Sequence, residues 1–337
     1  MDALQDYEVA LVMNCPLVSV LILTYNSSKY ILDALESVKN QTYQNIELIV
    51  TDDCSKDDTV AICRNWINQN KHRFVDAILV TTERNTGTSA NSNRGLVVCK
   101  GEWLKILAGD DALFPDCVTN FVDYINIHKE AKFVVGKGRE YKYTFDDVNE
   151  TNCHVKNYNN NPLLKESVDV QFKNMLHGDW WILTPAVFYN VNMLRMVGGW
   201  DEKYGVHEDF PMFHKLLKKG YKCYELDEYV VKYRLSDSNV YGNINQLFNY
   251  KHMRADFQIK KDLCFPYYSL RERIRTYTYF ASCWIMNKLG LQKRTFFNIS
   301  VFAAIRLFFA VLTLDFGLLW SYFKSYVLRI NHKHAQL

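Results

Sequence analysis

Val18-Ser19-Val20-Leu21-Ile22-Leu23 runs straight into the polar Thr24-Tyr25-Asn26. A short apolar run rich in β-branched residues that stops abruptly at polar ones is the pattern of a strand buried on both faces and followed by a loop. Ser27 or Ser28 is placed to cap a following helix, along which Tyr30, Ile31, Ala34, Leu35 and Val38 recur at helical spacing. The unit then repeats. Ile46 to Val50 reads as a second strand, Asp52-Asp53-Cys54-Ser55 as a loop and Asp58 to Asn70 as a second amphipathic helix. Val75 to Thr81 and Ser89 to Cys99 give a third strand and helix, and Trp103 to Leu107 a fourth strand ending at Gly109-Asp110-Asp111. This alternation predicts an α/β fold with a mostly parallel central sheet.

The same alternation predicts where a ligand sits. In open α/β sheets ligands bind beyond the carboxyl ends of the strands. Those ends carry Thr24 to Asn26, Asp52 and Asp53, Glu83 to Asn85, and Asp110 and Asp111. Neighbouring carboxylates repel unless water or a cation shares their charge, so Asp110 and Asp111 suit a divalent metal that bridges a nucleotide diphosphate. The plainer reading is a solvated turn in which Asp111 caps the next helix. Asp52 and Asp53 either accept hydrogen bonds from a base or ribose or serve the start of the helix that follows, with Ser55 and Asp58. Asp209, in His207-Glu208-Asp209, lies before an apolar-periodic helix and is either a dipole partner or a base that takes a proton from an acceptor hydroxyl.

From about Gly138 to Asn174 the pattern dissolves into polar residues, which predicts loops. Regular structure resumes at Ala186 to Tyr189 and in a short helix near Met193 to Val197. A helix from about Glu208 to Lys219 follows, ending at Gly220, and then strands at Lys222 to Glu225 and Val230 to Arg234. Beyond Tyr241 the composition turns basic and aromatic. Phe296 to Ile305 and Leu307 to Leu314 are apolar, but Arg306 and Asp315 interrupt them, leaving both short of the roughly 20 residues that span a bilayer. With Lys288, Lys293, Arg294, Lys324, Arg329 and Lys333 nearby, this helical region either lies on an anionic membrane surface or packs as an appendage. The expected organisation is a catalytic domain over 1–241, with a nucleotide-binding half at about 16–137 and an acceptor half at about 175–241, and a C-terminal region over 242–337.

Composition narrows the class. The chain has 337 residues with 48% hydrophobic content, enough for a large core. Lys and Arg total 40 against 37 Asp and Glu, too even a balance to announce nucleic-acid binding. The nine cysteines form no CxxC pair and read as reduced core residues in a reducing cytosol. No basic stretch precedes an apolar one at Met1 to Asp6, so the expected location is cytoplasmic. There is no GxGxxG after the first strand and no GxxxxGK[ST], which removes support for dinucleotide redox chemistry and P-loop phosphoryl transfer.

Taken in order, Ser19 to Asn26, Glu47 to Ser55, Asn85-Thr86-Gly87, Gly109-Asp110-Asp111, Gly198-Gly199-Trp200-Asp201-Glu202 and Glu208-Asp209 resemble the family 2 glycosyltransferases of the GT-A fold. The resemblance implies an inverting transfer from a UDP-sugar donor. It assigns Thr24, Tyr25, Asn26, Asn85 and Asn93 to the nucleotide-sugar pocket and Asp52 or Asp53 to uracil. Asp110 and Asp111 take ribose and Mn²⁺ or Mg²⁺, and Asp209 is the general base. Lys105 to Pro115 is similar to the same stretch in O-antigen enzymes that add glucose or galactose to a lipid-diphosphate-linked amino sugar. That implies an undecaprenyl-diphosphate-linked GlcNAc or GalNAc acceptor at the cytoplasmic face of the inner membrane, in lipopolysaccharide biosynthesis; a capsule or exopolysaccharide enzyme is the alternative. Three positions depart from the family pattern. Ala108 stands where a first acid is frequent, Asn91-Ser92-Asn93 replaces Ala-Arg-Asn with Arg94 displaced, and Ser236 occupies a frequent histidine position. The Ala108 and Ser236 departures also permit a noncatalytic nucleotide-sugar-binding scaffold. A sugar-1-phosphate nucleotidyltransferase would need a Gly-rich basic loop after the first strand, which Thr24-Tyr25-Asn26 lacks.

Overall fold

The computed structural model describes residues 14–151, 158–159, 161–178, 182–204, 207–235, 246–315 and 317. The chain divides into two units, Met1–Asp237 and Ser238–Leu337.

The first unit is built on one mixed sheet. Its strands are β1 (Val18–Thr24), β2 (Ile46–Asp52), β3 (Asp76–Thr81), β4 (Trp103–Ala108), β5 (Ala112–Leu113), β6 (Phe133–Lys142), β7 (Glu150–Thr151), β8 (Val187–Asn190) and β9 (Cys223–Leu235). They lie in the order β3-β2-β1-β4-β8-β6-β9-β5, with β7 on β6. The first four strands are mutually parallel, whereas β8 runs antiparallel to both β4 and β6. The helices are α1 (Ile31–Lys39), α2 (Thr59–Asn70), α3 (Thr88–Val98), α4 (Cys117–Ile127), α5 (Val168–His177), α6 (Val191–Met196) and α7 (Asp209–Lys218). Apolar strands clad by these helices form a continuous core, in which Val20, Leu21, Ile22, Leu48, Ile49 and Val50 are fully buried.

Register brings the strand ends together. Thr24 lies opposite Asp52 and Leu23 opposite Ala108, so the loops after β1, β2 and β4 leave the sheet side by side. Gly109 N–H donates to Leu23 O at 2.9 Å, and Asp53 N–H to Thr24 O at 3.0 Å.

Several expectations need correcting. No side chain of Ser27 or Ser28 caps α1; its N-cap is Tyr30, and the Ser27 carbonyl instead receives the Tyr30 and Ile31 amides. Asp111 does not cap α4, whose N-cap is Asp116. The polar stretch after Gly138 is not all loop, because β6 continues to Lys142 and α5 begins at Val168 behind a Ser167 cap. The pattern misleads because β6 alternates glycines with charged residues. A Cβ on Gly138 would collide with Leu183, and Glu140 on the same strand is fully buried. The two expected strands at Lys222 to Arg234 are one, β9, pairing along β6 with a register shift near Lys137. α7 ends as expected: Gly220 adopts φ +87, with Tyr221 N–H on Leu216 O and Gly220 N–H on Leu217 O. Of the cysteines in the described residues, Cys15 is exposed and Cys54 half-buried rather than core; none of these eight forms a disulfide.

The second unit contains α8 (Tyr250–Ile259), continued by a π-helical turn over Lys260–Cys264, α9 (Leu270–Lys288) and α10 (Phe296–Leu312). A capping box between Ser269 and Glu272 starts α9. Arg306 does not break the apolar stretch. It lies within α10, buried, with its guanidinium over the Tyr279 ring. Asp315, 4% exposed, pairs with Arg275 and Arg271. Among the described residues no helix is long and apolar enough to cross a membrane. Lys324, Arg329 and Lys333 lie outside the described residues, as does Ser236.

Candidate active site

The loop after β2 is organised by its two carboxylates. Asp52 accepts from Thr24 Oγ1 at 2.9 Å, from Ser55 N–H at 2.8 Å and from Ser55 Oγ. Asp53 accepts from Thr86 N–H, Thr86 Oγ1, Gly87 N–H and Arg94 Nη2, at distances from 2.6 to 3.0 Å. Burial works against its charged form, but these donors outweigh burial and hold the carboxyl below the usual range. Asp53 therefore has every acceptor position filled, whereas Asp52 keeps room for one more donor. Asp58 is the N-cap residue of α2, but no side chain of Asp52, Ser55 or Asp58 hydrogen-bonds the helix start; Asp57 does, accepting from Thr59 N–H.

Tyr25 and Asn26 follow β1 at the surface. Asn26 takes φ +51 and is held on both sides, its N–H on Ser55 Oγ and its Oδ1 accepting from Lys56 N–H, each at 2.8 Å. Beside this clamp Tyr25 is 47% exposed. Asn85 is also exposed. Arg94, on α3, donates from Nη2 to Asp53 and Asn91 and from Nη1 to Thr86. Asn93, expected to contact the donor, commits its carboxamide elsewhere: to the Trp200 N–H and carbonyl and to Glu202 Oε1. This explains the Gly-Gly-Trp turn. Gly199 adopts φ +65, and a Cβ there would lie 2.5 Å from Asn93 Oδ1.

Asp110 and Asp111 sit just beyond β4. Asp111 is buried and accepts from Arg234 N–H at 2.8 Å. Among the described residues, the carboxylate of Asp110 receives a hydrogen bond only from its own backbone N–H. Burial raises both carboxyls above the usual range, and the neighbouring Asp110 charge pushes Asp111 further. Arg234, on β9, is a buried hub that nothing in the motif pattern announces. Its Nε donates to Asp110 O at 2.6 Å, Nη1 to Tyr143 O and Nη2 to Asp33 Oδ2 at 2.5 Å, while its guanidinium lies 3.9 Å from the Phe145 ring centroid and 4.4 Å from that of Tyr30. It ties α1, the acidic loop and the end of β6 to one cation.

Asp209 is the first residue of α7. Its Oδ1 accepts from Phe210 N–H at 2.7 Å, and its Oδ2 from Thr184 Oγ1 at 3.2 Å. The carboxylate is partly open, so the base reading is sterically accessible. Its neighbour Glu208 is pushed up to about 7 by burial and by the Asp209 charge. A carboxyl raised in the folded state costs nothing below its ordinary value of 4.5, and its penalty grows to completion as pH rises through about 7. Glu208→Gln is accordingly expected to unfold at higher denaturant than wild type at pH 8, by at most about 3 kcal/mol because solvent screens a partly exposed group. The difference should vanish near pH 4.5, as urea titrations at the two pH values would show.

The model for glycosyl transferase family 2 matches residues 19–182, from β1 to just past α5. The chain is a glycosyltransferase with a family 2 domain at residues 19–182. Over 246 residues the glycosyltransferase is 27% identical to an uncharacterized glycosyltransferase of Rickettsia typhi, covering 72% of this chain and 71% of that one. Its fold is similar to that of Staphylococcus aureus TarS 1–349 in complex with UDP-GlcNAc, with a TM-score of 0.56 at 16% identity over 86% of this chain and 79% of that one. It is likewise similar to the mannosyltransferase PcManGT of Pyrobaculum calidifontis in complex with GDP-Man and Mn²⁺, with a TM-score of 0.55 at 15% identity over 94% and 81%. The GT-A fold of this glycosyltransferase is thus a mixed sheet whose first four strands are parallel, with helices at its C-terminal end.

Proposed function

We propose that this glycosyltransferase moves a hexose, glucose or galactose, from a UDP-sugar to a sugar hydroxyl with inversion at the anomeric carbon. The observation that carries the reading is Asp110, a partly buried carboxylate that among the described residues receives a hydrogen bond only from its own backbone N–H, beside the buried Asp111. Such a pair fits a divalent cation, Mn²⁺ or Mg²⁺, held chiefly by Asp110 with Asp111 behind it. When bound, the cation offsets the negative charge of the donor diphosphate. Tyr25 stacks on the base, Asp52 accepts its N–H, and Asn26 and Asn85 border the nucleotide. Asp53 and Arg94 shape the loop, and Asn93 holds the Trp200 turn.

The acceptor hydroxyl oxygen forms a bond to the anomeric carbon as the bond from that carbon to the diphosphate oxygen breaks. Asp209 Oδ2 takes the hydroxyl proton, and UDP leaves with the bonding electron pair. Supporting this role, Thr184 already orients Asp209 Oδ2 from one side. Calorimetric titration tests the donor side: UDP should bind tightly with Mn²⁺ and weakly in chelator, and equal binding in both would remove the metal from the mechanism.

The acceptor we favour is an undecaprenyl-diphosphate-linked GlcNAc or GalNAc of O-antigen assembly, met on the cytoplasmic face of the inner membrane. The catalytic domain spans 1–241 and the membrane-facing region 242–337. Support comes from α10, which exposes Phe296, Phe297, Leu307, Phe308, Val311 and Leu312, next to the exposed Lys288, Lys293 and Arg294. Apolar side chains and cations on one segment suit an anionic bilayer surface, where either alone binds weakly. The protein should sediment with phosphatidylglycerol vesicles at low salt. Phe297→Glu with Phe308→Glu should abolish that while leaving UDP binding unchanged, and failure of the wild-type protein to sediment would refute the membrane assignment.

A further inference from the structure

Lys105 is a buried cation with no hydrogen bond to a residue assigned to the donor, although its charge and that of Asp111 act on each other. It lies on β4, fully buried, between Val20 of β1 and Phe188 of β8. An ammonium in a protein core costs several kcal/mol, and an apolar residue of the same volume would sit there more cheaply. Its contacts show what the charge does. Nζ donates to Ile106 O at 2.9 Å and to Pro185 O.

The second contact spans a gap in the sheet. The β4–β8 ladder ends at the Lys105–Phe188 pair, and Val187 pairs with Val135 of β6 instead. Beyond that point β4 runs on toward Asp110 and Asp111 with no ladder partner on this side, while the chain before β8 forms the turn Thr184–Ala186. The Lys105 side chain joins the two. Thr184 in that turn donates to Asp209 Oδ2 at 3.2 Å. One continuous path therefore runs from the strand bearing the acidic pair, through Lys105 Nζ, the Pro185 carbonyl and the Thr184 hydroxyl, to the Asp209 carboxylate.

We propose that Lys105 is a positioning residue. It fixes the turn Thr184–Ala186 against β4 and so sets where Asp209 stands relative to the donor held by Asp110 and Asp111. The proposal rests on Asp209 being the base. Misplacement of a reacting group by about 1 Å can cost up to about a hundredfold in rate without weakening ground-state binding. Removing either link should therefore lower kcat while sparing the donor.

The test is a double-mutant cycle on Lys105→Met and Thr184→Val, read as kcat, donor KM and UDP affinity in the presence of Mn²⁺. Each single variant should lose at least about tenfold in kcat, with donor KM and UDP affinity within about threefold of wild type. The double variant should lose no more than the worse single, because both break one path. Effects that multiply, or a wild-type kcat in either folded variant, overturn the proposal. A core lysine that only supported folding would lower the melting temperature of Lys105→Met and leave the kcat of its folded fraction intact. Should Lys105→Met fail to fold, Thr184→Val, which removes only a hydroxyl from a partly exposed turn, decides alone: loss of kcat at constant KM supports the path, and wild-type kcat overturns it. Asp209→Asn assayed alongside separates the two levels. Full turnover in that variant removes the base and this proposal with it, whereas an inactive Asp209→Asn with multiplying Lys105 and Thr184 effects removes the coupling alone.

Discussion

Asp110→Asn is expected to lower turnover on the order of a thousandfold, the scale of the several kcal/mol that a cation contributes at a leaving diphosphate. The fold should not suffer. Among the described residues no other residue donates to the Asp110 carboxylate, and burial already disfavours its charge beside Asp111. Neutralising it should leave the melting temperature equal or raised, since one of two close like charges is gone. That pairing of outcomes, lost turnover with kept stability, separates a ligand of the cation from a structural carboxylate. Asp111 is less clean as a probe, because Asp111→Ala also strips the acceptor from Arg234 N–H. Steady-state rates of metal-stripped protein with Mn²⁺ added back give the measurement, and full activity of Asp110→Asn would exclude the metal reading.

The second large effect belongs to the base. Asp209→Asn should transfer sugar at least about a hundredfold more slowly, the usual scale for losing a positioned proton acceptor. The amide oxygen of Asn can still accept from Thr184, so the turn before β8 keeps its anchor and UDP should bind as in wild type. Wild-type turnover would pass the role to Glu208, whose carboxyl, pushed up to about 7, is the next acceptor on the same helix start.

The parallel half of the fold was readable because strands buried on both faces must be apolar runs, and β1, β2 and β4 are such runs ending at polar loops. Convergence of Thr24, Asp52 and Asp110 followed from the alternation alone. What stayed hidden involves partners far apart in sequence. Arg234 meets Asp33 across 201 positions and Asp110 across 124, and nothing in the spacing of either announces the pair. Nothing in the sequence marks Lys105 either, since its partner is a backbone carbonyl that any residue supplies. Asp53 and Asn93 illustrate the opposite error. Both have the right chemistry for a donor contact, but Asp53 is engaged by Thr86, Gly87 and Arg94, and Asn93 by Trp200 and Glu202. The β6 misreading came from glycines that serve close strand packing rather than turns.

The central claim, sugar transfer from a nucleotide donor with inversion, is tested most directly by incubating the purified protein and Mn²⁺ with a panel of UDP-sugars and a lipid-diphosphate-linked amino sugar, and analysing UDP, product mass and anomeric configuration together. The expected result is one hexose added per UDP released, with the product linkage opposite in configuration to the donor. A product of retained configuration, or a folded protein that binds and consumes none of the UDP-sugars, would contradict it.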